Sequence, residues 1–167
     1  MAEPVVVAVS GVKNSGKTTL IEGLLPLLCA KGLKVAVIKH DGHDFSPDVP
    51  GTDTFRHLRA GACGTAVFSA HKWMACKQEP TDENALMALF PDADLILLEG
   101  FKHSPWPKLE LVRAGNSQES VCDPATLLGL VTDLPLELPG VPVFASGDWE
   151  GIAALLYDYT KGASRHA

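Results

Sequence analysis

Short, unbroken apolar runs punctuate this chain. Val5 to Ser10 is β-branched and almost wholly apolar, the pattern of a central parallel strand covered on both faces. The period then changes. From Lys17 to Ala30, Leu20, Leu24, Leu27 and Leu28 mark one face of a helix. Pro26 inside that run predicts a bend or one lost backbone bond, and Gly32 ends the helix. Val35 to Ile38 is a second strand, so the chain opens with a right-handed βαβ unit of parallel strands. Asp94 to Leu98 is a third strongly apolar strand and closes on Glu99-Gly100, while Leu109 to Val112 alternates. Leu127 to Val131 and Val141 to Phe144 are short strands followed by acids, Asp133 and Asp148, and Ile152 to Tyr159 is a closing helix.

Between the second and third apolar runs the character differs. Asp41 to Asp53 is rich in Asp, Gly, His and Pro and lacks periodicity, a length that marks a functional or mobile connection. Asp53 is placed to cap a short helix ending near Gly61. Gly64 to Ser69 and Trp73 to Lys77 flank Ala70-His71, which predicts a hairpin. Thr81 is the expected N-cap of a helix running to about Leu89, with Asp82 and Glu83 suited to its first turn and Pro91 stopping it. Nothing in the sequence divides the chain. The expected fold is α/β: a P-loop NTPase with a mostly parallel sheet flanked by helices, one domain over residues 1–167, with 64–77 an antiparallel hairpin extension. The tail from Gly162 onward should fray.

Composition narrows the function. The chain of 167 residues is 46% hydrophobic and 20% charged, which can bury an ordinary core. Its net charge of −6 points away from general nucleic-acid binding. Cys29, Cys63, Cys76 and Cys122 form no CxxC pair and no zinc-like spacing with histidine, so reduced thiols are expected. No apolar stretch approaches the ~20 residues a membrane helix needs, and Val5 to Val9 is too short for a secretion signal. The expectation is a soluble, cytoplasmic protein without membrane or nucleic-acid partners.

The chemistry begins at Gly11-Val12-Lys13-Asn14-Ser15-Gly16-Lys17-Thr18, which matches the Walker A pattern between a buried strand and a long helix. Gly11 and Gly16 let successive N–H groups of the loop, including those of Lys13, Asn14 and Ser15, turn toward phosphate oxygens. The helix that follows directs its free N–H groups and dipole at the same anion. Lys17 is the expected ligand of the β- and γ-phosphates and Thr18 of a magnesium ion, with Thr19 adjoining. Nucleoside triphosphate with magnesium is therefore the expected ligand.

A P-loop protein also needs a carboxylate at the end of a neighbouring strand. Glu99 closes the third strand at the edge where ligands collect. Asp94 opens it, roughly 16 Å away. Glu99 is thus the expected catalytic and metal-site acid, acting with Lys17 and Thr18. At the same edge, Lys39, His40, Asp41, His43 and Asp44 suit a switch-like segment or a second ligand. Arg56 and Arg59, on the short helix beyond, suit phosphate or carboxylate groups or are ordinary surface arginines, and Lys102 and His103, just after Glu99-Gly100, suit an anionic ligand or partner. The residues leave three readings open for this loop: nucleotide or substrate contact, a transition-metal site at His40 and His43, or a polar surface loop. Trp73, Phe101 and Trp106 are read as packing or interface groups.

Together with the phosphate loop, several further stretches resemble the family of MobB, the molybdopterin-guanine dinucleotide biosynthesis adaptor. They are Ile38-Lys39-His40-Asp41-Gly42-His43-Asp44-Phe45, Pro50-Gly51-Thr52-Asp53-Thr54, Arg59-Ala60-Gly61-Ala62, Leu98-Glu99-Gly100-Phe101-Lys102-His103 and Pro107-Lys108-Leu109-Glu110. The resemblance implies a homodimeric GTP-binding protein with weak GTPase activity. It would assist attachment of GMP to molybdopterin beside a guanylyltransferase, with molybdopterin itself a further candidate partner and the hairpin a contributor to dimerisation. No Asn-Lys-x-Asp guanine reader is present. Asp133, after Val131-Thr132, is the candidate for that role, ahead of Asp148; a helix cap or turn acid is the alternative for either. A small-molecule kinase is one alternative, with Lys39, Arg59 or Lys102 holding an acceptor and Asp41 taking its proton. A metallochaperone-type GTPase using His40 and His43 is another.

Overall fold

In a computed structural model, which describes residues 3–43, 45 and 48–163, the apolar runs become the six strands of one parallel sheet, and two further strands form a second sheet. The strands are β1 (Val5–Gly11), β2 (Val35–Lys39), β3 (Gly64–Phe68), β4 (Trp73–Lys77), β5 (Leu95–Glu99), β6 (Lys108–Val112), β7 (Leu127–Thr132) and β8 (Val143–Phe144). The helices are α1 (Lys17–Ala30), α2 (Asp53–Arg59), α3 (Glu83–Met87) and α4 (Trp149–Ala163). Residues up to 40 and from 84 onward form one unit, and residues 41–83 form another.

In the larger unit the strand order is β2-β5-β1-β6-β7-β8, and every neighbouring pair runs parallel. Alternation along β1 and β5 explains why their runs are unbroken. Val7, Val9, Leu95 and Leu97 pack with Leu20, Ile21, Leu24 and Leu28 of α1 and with Ile152, Ala153 and Leu156 of α4. Ala8, Ile96 and Leu98 pack on the opposite face with Ile38, Met87, Phe90, Phe101 and Trp106. Both faces are covered, so both parities of each strand are apolar. Pro26 leaves α1 continuous from Lys17 to Ala30. It sits on the exposed side, as does Glu22, whose carbonyl is the acceptor left without its helical donor.

Several boundaries differ from the sequence expectation, each for a local reason. The alternation of β6 suggests one polar face in solvent, yet all five of its residues are buried, Lys108 and Glu110 completely. Their charges are met by loop backbone. Lys108 Nζ donates to the Ser104 carbonyl at 2.5 Å, and Glu110 accepts from the Val121 and Cys122 N–H groups at 2.6 and 3.2 Å and from Ser120 Oγ at 2.5 Å. Beside that carboxylate, burial first and then the Glu110 charge push the Cys122 thiol up to about 12. The last strand shortens to Val143–Phe144. Pro142 just before it has no N–H to give and contributes only its carbonyl, to the Leu130 N–H at 2.9 Å. Helix α4 begins three residues early, at Trp149, because Asp148 caps it: Asp148 Oδ1 accepts from the Gly151 N–H at 3.0 Å.

The second unit holds the expected hairpin. β3 and β4 pair antiparallel from Gly64↔Lys77 to Phe68↔Trp73, around Ala70-His71. Its helix α2 is capped by Thr52, whose Oγ1 accepts from the Phe55 N–H at 3.4 Å, and Asp53 occupies the first turn where its charge suits the dipole. Helix α3 starts at Glu83, so Thr81 lies one position too early to be its N-cap.

Candidate functional site

Parallel strands bring their C-terminal ends to one edge, and the strand registers set which side chains meet there. Lys39 and Val9 both pair with Glu99, and Gly11 pairs with Leu111. The turn from Gly11 to Gly16 therefore leaves the sheet between the ends of β5 and β6. Gly11 takes φ 140°, and a Cβ built on it would stand 2.6 Å from the Leu111 carbonyl oxygen and 2.8 Å from Ser15 Oγ. Only glycine fits there. Asn14 is left-handed at φ 61°, a conformation asparagine tolerates, and Ser15 is buried.

Gly16 is the N-cap of α1 with φ 93°. No side chain caps the helix, and no acid lies in its first turn. The first N–H groups of α1 are thus left for an external anion. Lys17 folds back over the loop and donates to the Val12 carbonyl at 2.7 Å, the Gly11 carbonyl at 3.3 Å and Ser15 Oγ at 3.5 Å. Burial lowers the Lys17 pKa, Glu99 counters that, and the charges of Lys39 and Lys102 add to the lowering. Three ammonium groups therefore share one electrostatic neighbourhood with a single nearly buried carboxylate, Glu99, which is 7% exposed.

Thr18 Oγ1 donates to Glu99 Oε1 at 2.6 Å, and Lys39 Nζ lies 3.8 Å from the same oxygen. A hydroxyl and a carboxylate are the oxygen donors magnesium takes, so these two residues fit the ion expected of them. Lys13 and Thr19 are exposed, and the Lys13 carbonyl accepts from Asn116 Nδ2 at 2.9 Å. His40 continues β2 through its N–H to the Glu99 carbonyl at 3.1 Å, and its ring meets that of Phe101 edge-on at 5.6 Å. Lys102 is half-buried just beyond Glu99.

Asp41, His43 and Arg59 belong to the second unit. There Asp41 Oδ1 accepts from the His43 N–H at 3.2 Å, and Arg59 is exposed at the end of α2. Asp44 lies outside the described residues. Among the described residues no three His, Cys, Asp or Glu side chains converge as a metal site.

Asp133 follows β7 at the same edge as the loop, and each of its carboxylate oxygens accepts a hydrogen bond from the segment after β6. Oδ1 accepts from the Ala114 N–H at 2.7 Å and Oδ2 from Arg113 Nε at 3.2 Å. The Ala114 N–H is the main cause that holds this carboxyl below its ordinary range, with Arg113 contributing. Arg113 and Asn116 were not singled out from the sequence. The rule that selected Glu99 looks for a carboxylate at a strand end, so it passes over Arg113, which follows Val112 at the end of β6.

A parallel sheet whose first strand passes through a glycine-rich turn into an uncapped helix, with an acid on the neighbouring strand, defines a protein of the P-loop NTPase fold. A family model for molybdopterin guanine dinucleotide synthesis protein B, MobB, matches residues 6–133. The chain belongs to this family. The molybdopterin-guanine dinucleotide biosynthesis adapter protein of Escherichia coli (strain K12) is 34% identical over 156 residues, 89% of each chain. The probable adapter protein of Bacillus subtilis (strain 168) is 33% identical over 150 residues, 86% of each. The crystal structure of Bacillus subtilis MobB is similar with a TM-score of 0.77 at 30% identity, covering 92% of this chain and 96% of that one.

Proposed function

We propose that this chain is a GTP-binding adapter with weak GTPase activity, which assists attachment of GMP to molybdopterin in the cytoplasm. The observation that carries the reading is the convergence at one sheet edge of the uncapped α1 N-terminus, the Lys17 ammonium and the Thr18–Glu99 pair. A polyphosphate there takes the backbone donors of residues 13–18 and draws Lys17 from the Gly11 and Val12 carbonyls onto the β- and γ-phosphates. Thr18 and Glu99 would hold magnesium, which would supply charge neutralisation at those phosphates. Glu99 accepts from Thr18 and lies beside Lys39, the setting of a metal-site acid, and slow turnover is part of this reading. Membership of the MobB family and the names of the relatives support the biosynthetic setting. The partner is then a molybdenum cofactor guanylyltransferase.

The test is reconstitution. A purified guanylyltransferase given molybdopterin and Mg·GTP should make more dinucleotide product when this protein is added. The same protein carrying Lys17→Ala should add nothing. Equal yields with and without the wild-type protein would sink the adapter role.

The working assembly in this reading is a homodimer joined through the hairpin. Phe68 and Trp73 are cross-strand partners, 84% and 63% exposed, and Val67 and Met74 next to them are also exposed. Such aromatic surface is costly to leave in water. Phe68→Ser with Trp73→Ser should convert a dimer to a monomer in light scattering, and a monomeric wild type would contradict this arrangement.

A further inference from the structure

Glu99 places the metal end of a bound nucleotide on the β5 side of β1. On the other side of β1 lie β6 and β7, so a polyphosphate that runs through the loop away from Glu99 would bring its nucleoside end toward the residues that follow those strands. Register sets these level with each other: Val112 pairs with Thr132, and the next residues are Arg113 and Asp133. Arg113 reaches toward the phosphate loop, because a Cβ built on Gly16 would stand 3.4 Å from its Nη1. A guanidinium beside the N-terminus of α1 has the wrong sign for the helix dipole. No acid in the first turn offsets it. Asp133 offsets part of that charge, and an anion between the guanidinium and the helix would use the rest.

One contact, to a carboxylate that is itself pinned, holds the arginine there. Its Nε donates to Asp133 Oδ2 at 3.2 Å, and the other Asp133 oxygen is pinned by the Ala114 N–H at 2.7 Å. Independently, Asn116 Nδ2 donates to the Lys13 carbonyl at 2.9 Å, which fastens the loop after β6 to the phosphate loop.

Resting on the nucleotide reading above, we propose that Arg113 is the cation for the nucleoside-proximal phosphate, and that Asp133 positions this arginine instead of reading the base. Lys17 then serves the distal phosphates and Arg113 the proximal one. Nε is spent on Asp133, which leaves the guanidinium's terminal NH2 groups as the phosphate donors.

Calorimetric titration with Mg·GTP, GDP, ATP and XTP separates the alternatives. Arg113→Met should weaken GTP and GDP by the same factor, roughly 10- to 100-fold for lost charge-assisted hydrogen bonds, and leave the GTP-to-ATP ratio unchanged. Asp133→Asn should weaken all nucleotides to a smaller degree, with no gain for XTP. In the Arg113→Met background it should cost no more than about 2-fold, because its effect runs through the arginine. A base reader behaves differently: Asp133→Asn would favour XTP, and its cost would add to that of Arg113→Met. Either result overturns the proposal, as does unchanged GDP affinity in Arg113→Met. A wild-type protein that binds none of these nucleotides overturns the nucleotide reading itself.

Discussion

Lys17→Ala loses about 100-fold or more in triphosphate affinity while the fold stays intact. The expected loss follows from two phosphate contacts, each a hydrogen bond to a charged group of the kind whose removal costs roughly 1.5–3 kcal/mol. The fold survives because Lys17 bonds only to its own loop, at the Gly11 and Val12 carbonyls and Ser15 Oγ, and packs into no core cluster. Electrostatics agrees in sign. The folded pKa of Lys17 is lowered, chiefly by burial, so the folded state holds the proton less well than the unfolded chain does. Stability therefore rises as pH climbs from the folded pKa toward the unfolded value, and that rise should vanish in the mutant. Calorimetry with Mg·GTP and denaturation at several alkaline pH values read the two effects separately. Equal GTP affinity in wild type and mutant would remove Lys17 from the site.

Gly11→Val, by contrast, damages both fold and binding. The new Cβ would lie 2.6 Å from the Leu111 carbonyl oxygen, an atom of the sheet's own backbone that cannot swing aside. The φ of 140° is one that a β-branched residue does not adopt without strain. Strain and overpacking together should cost about 3 kcal/mol or more. For a chain of this size that lowers the thermal midpoint by roughly 10 °C. Gly42→Ala is the control, since nothing lies within 4 Å of a Cβ there and its midpoint should barely move. A Gly11→Val protein as stable as wild type would mean that the loop does not leave β1 in this conformation.

How much of this was legible in the sequence depends on the kind of signal. β1, α1 and β5 declared themselves because a strand covered on both faces must be apolar at both parities, and a helix packed on one face repeats near every third or fourth residue. Glu99 was legible by the same logic, as the first charge after such a run. β6 was not. Lys108 and Glu110 look like solvent positions, and only the loops at Ser104 and at 120–122 reveal that both charges are buried and satisfied. Asp133 was found as a residue at the right edge, but its commitment to Arg113 and Ala114 depends on the register between β6 and β7, which no local pattern encodes. Asp148 likewise read as an edge acid, and its work as the cap of α4 depends on where that helix begins.

A magnesium-bound polyphosphate is expected where β1 meets α1. A crystal grown with magnesium and a non-hydrolysable GTP analogue tests it directly. The β- and γ-phosphates should lie against the amides of residues 13–18 and Lys17 Nζ, with the metal at Thr18 Oγ1 on the side of Glu99. An analogue bound elsewhere on the molecule, with Lys17 still on the Val12 carbonyl, would contradict it.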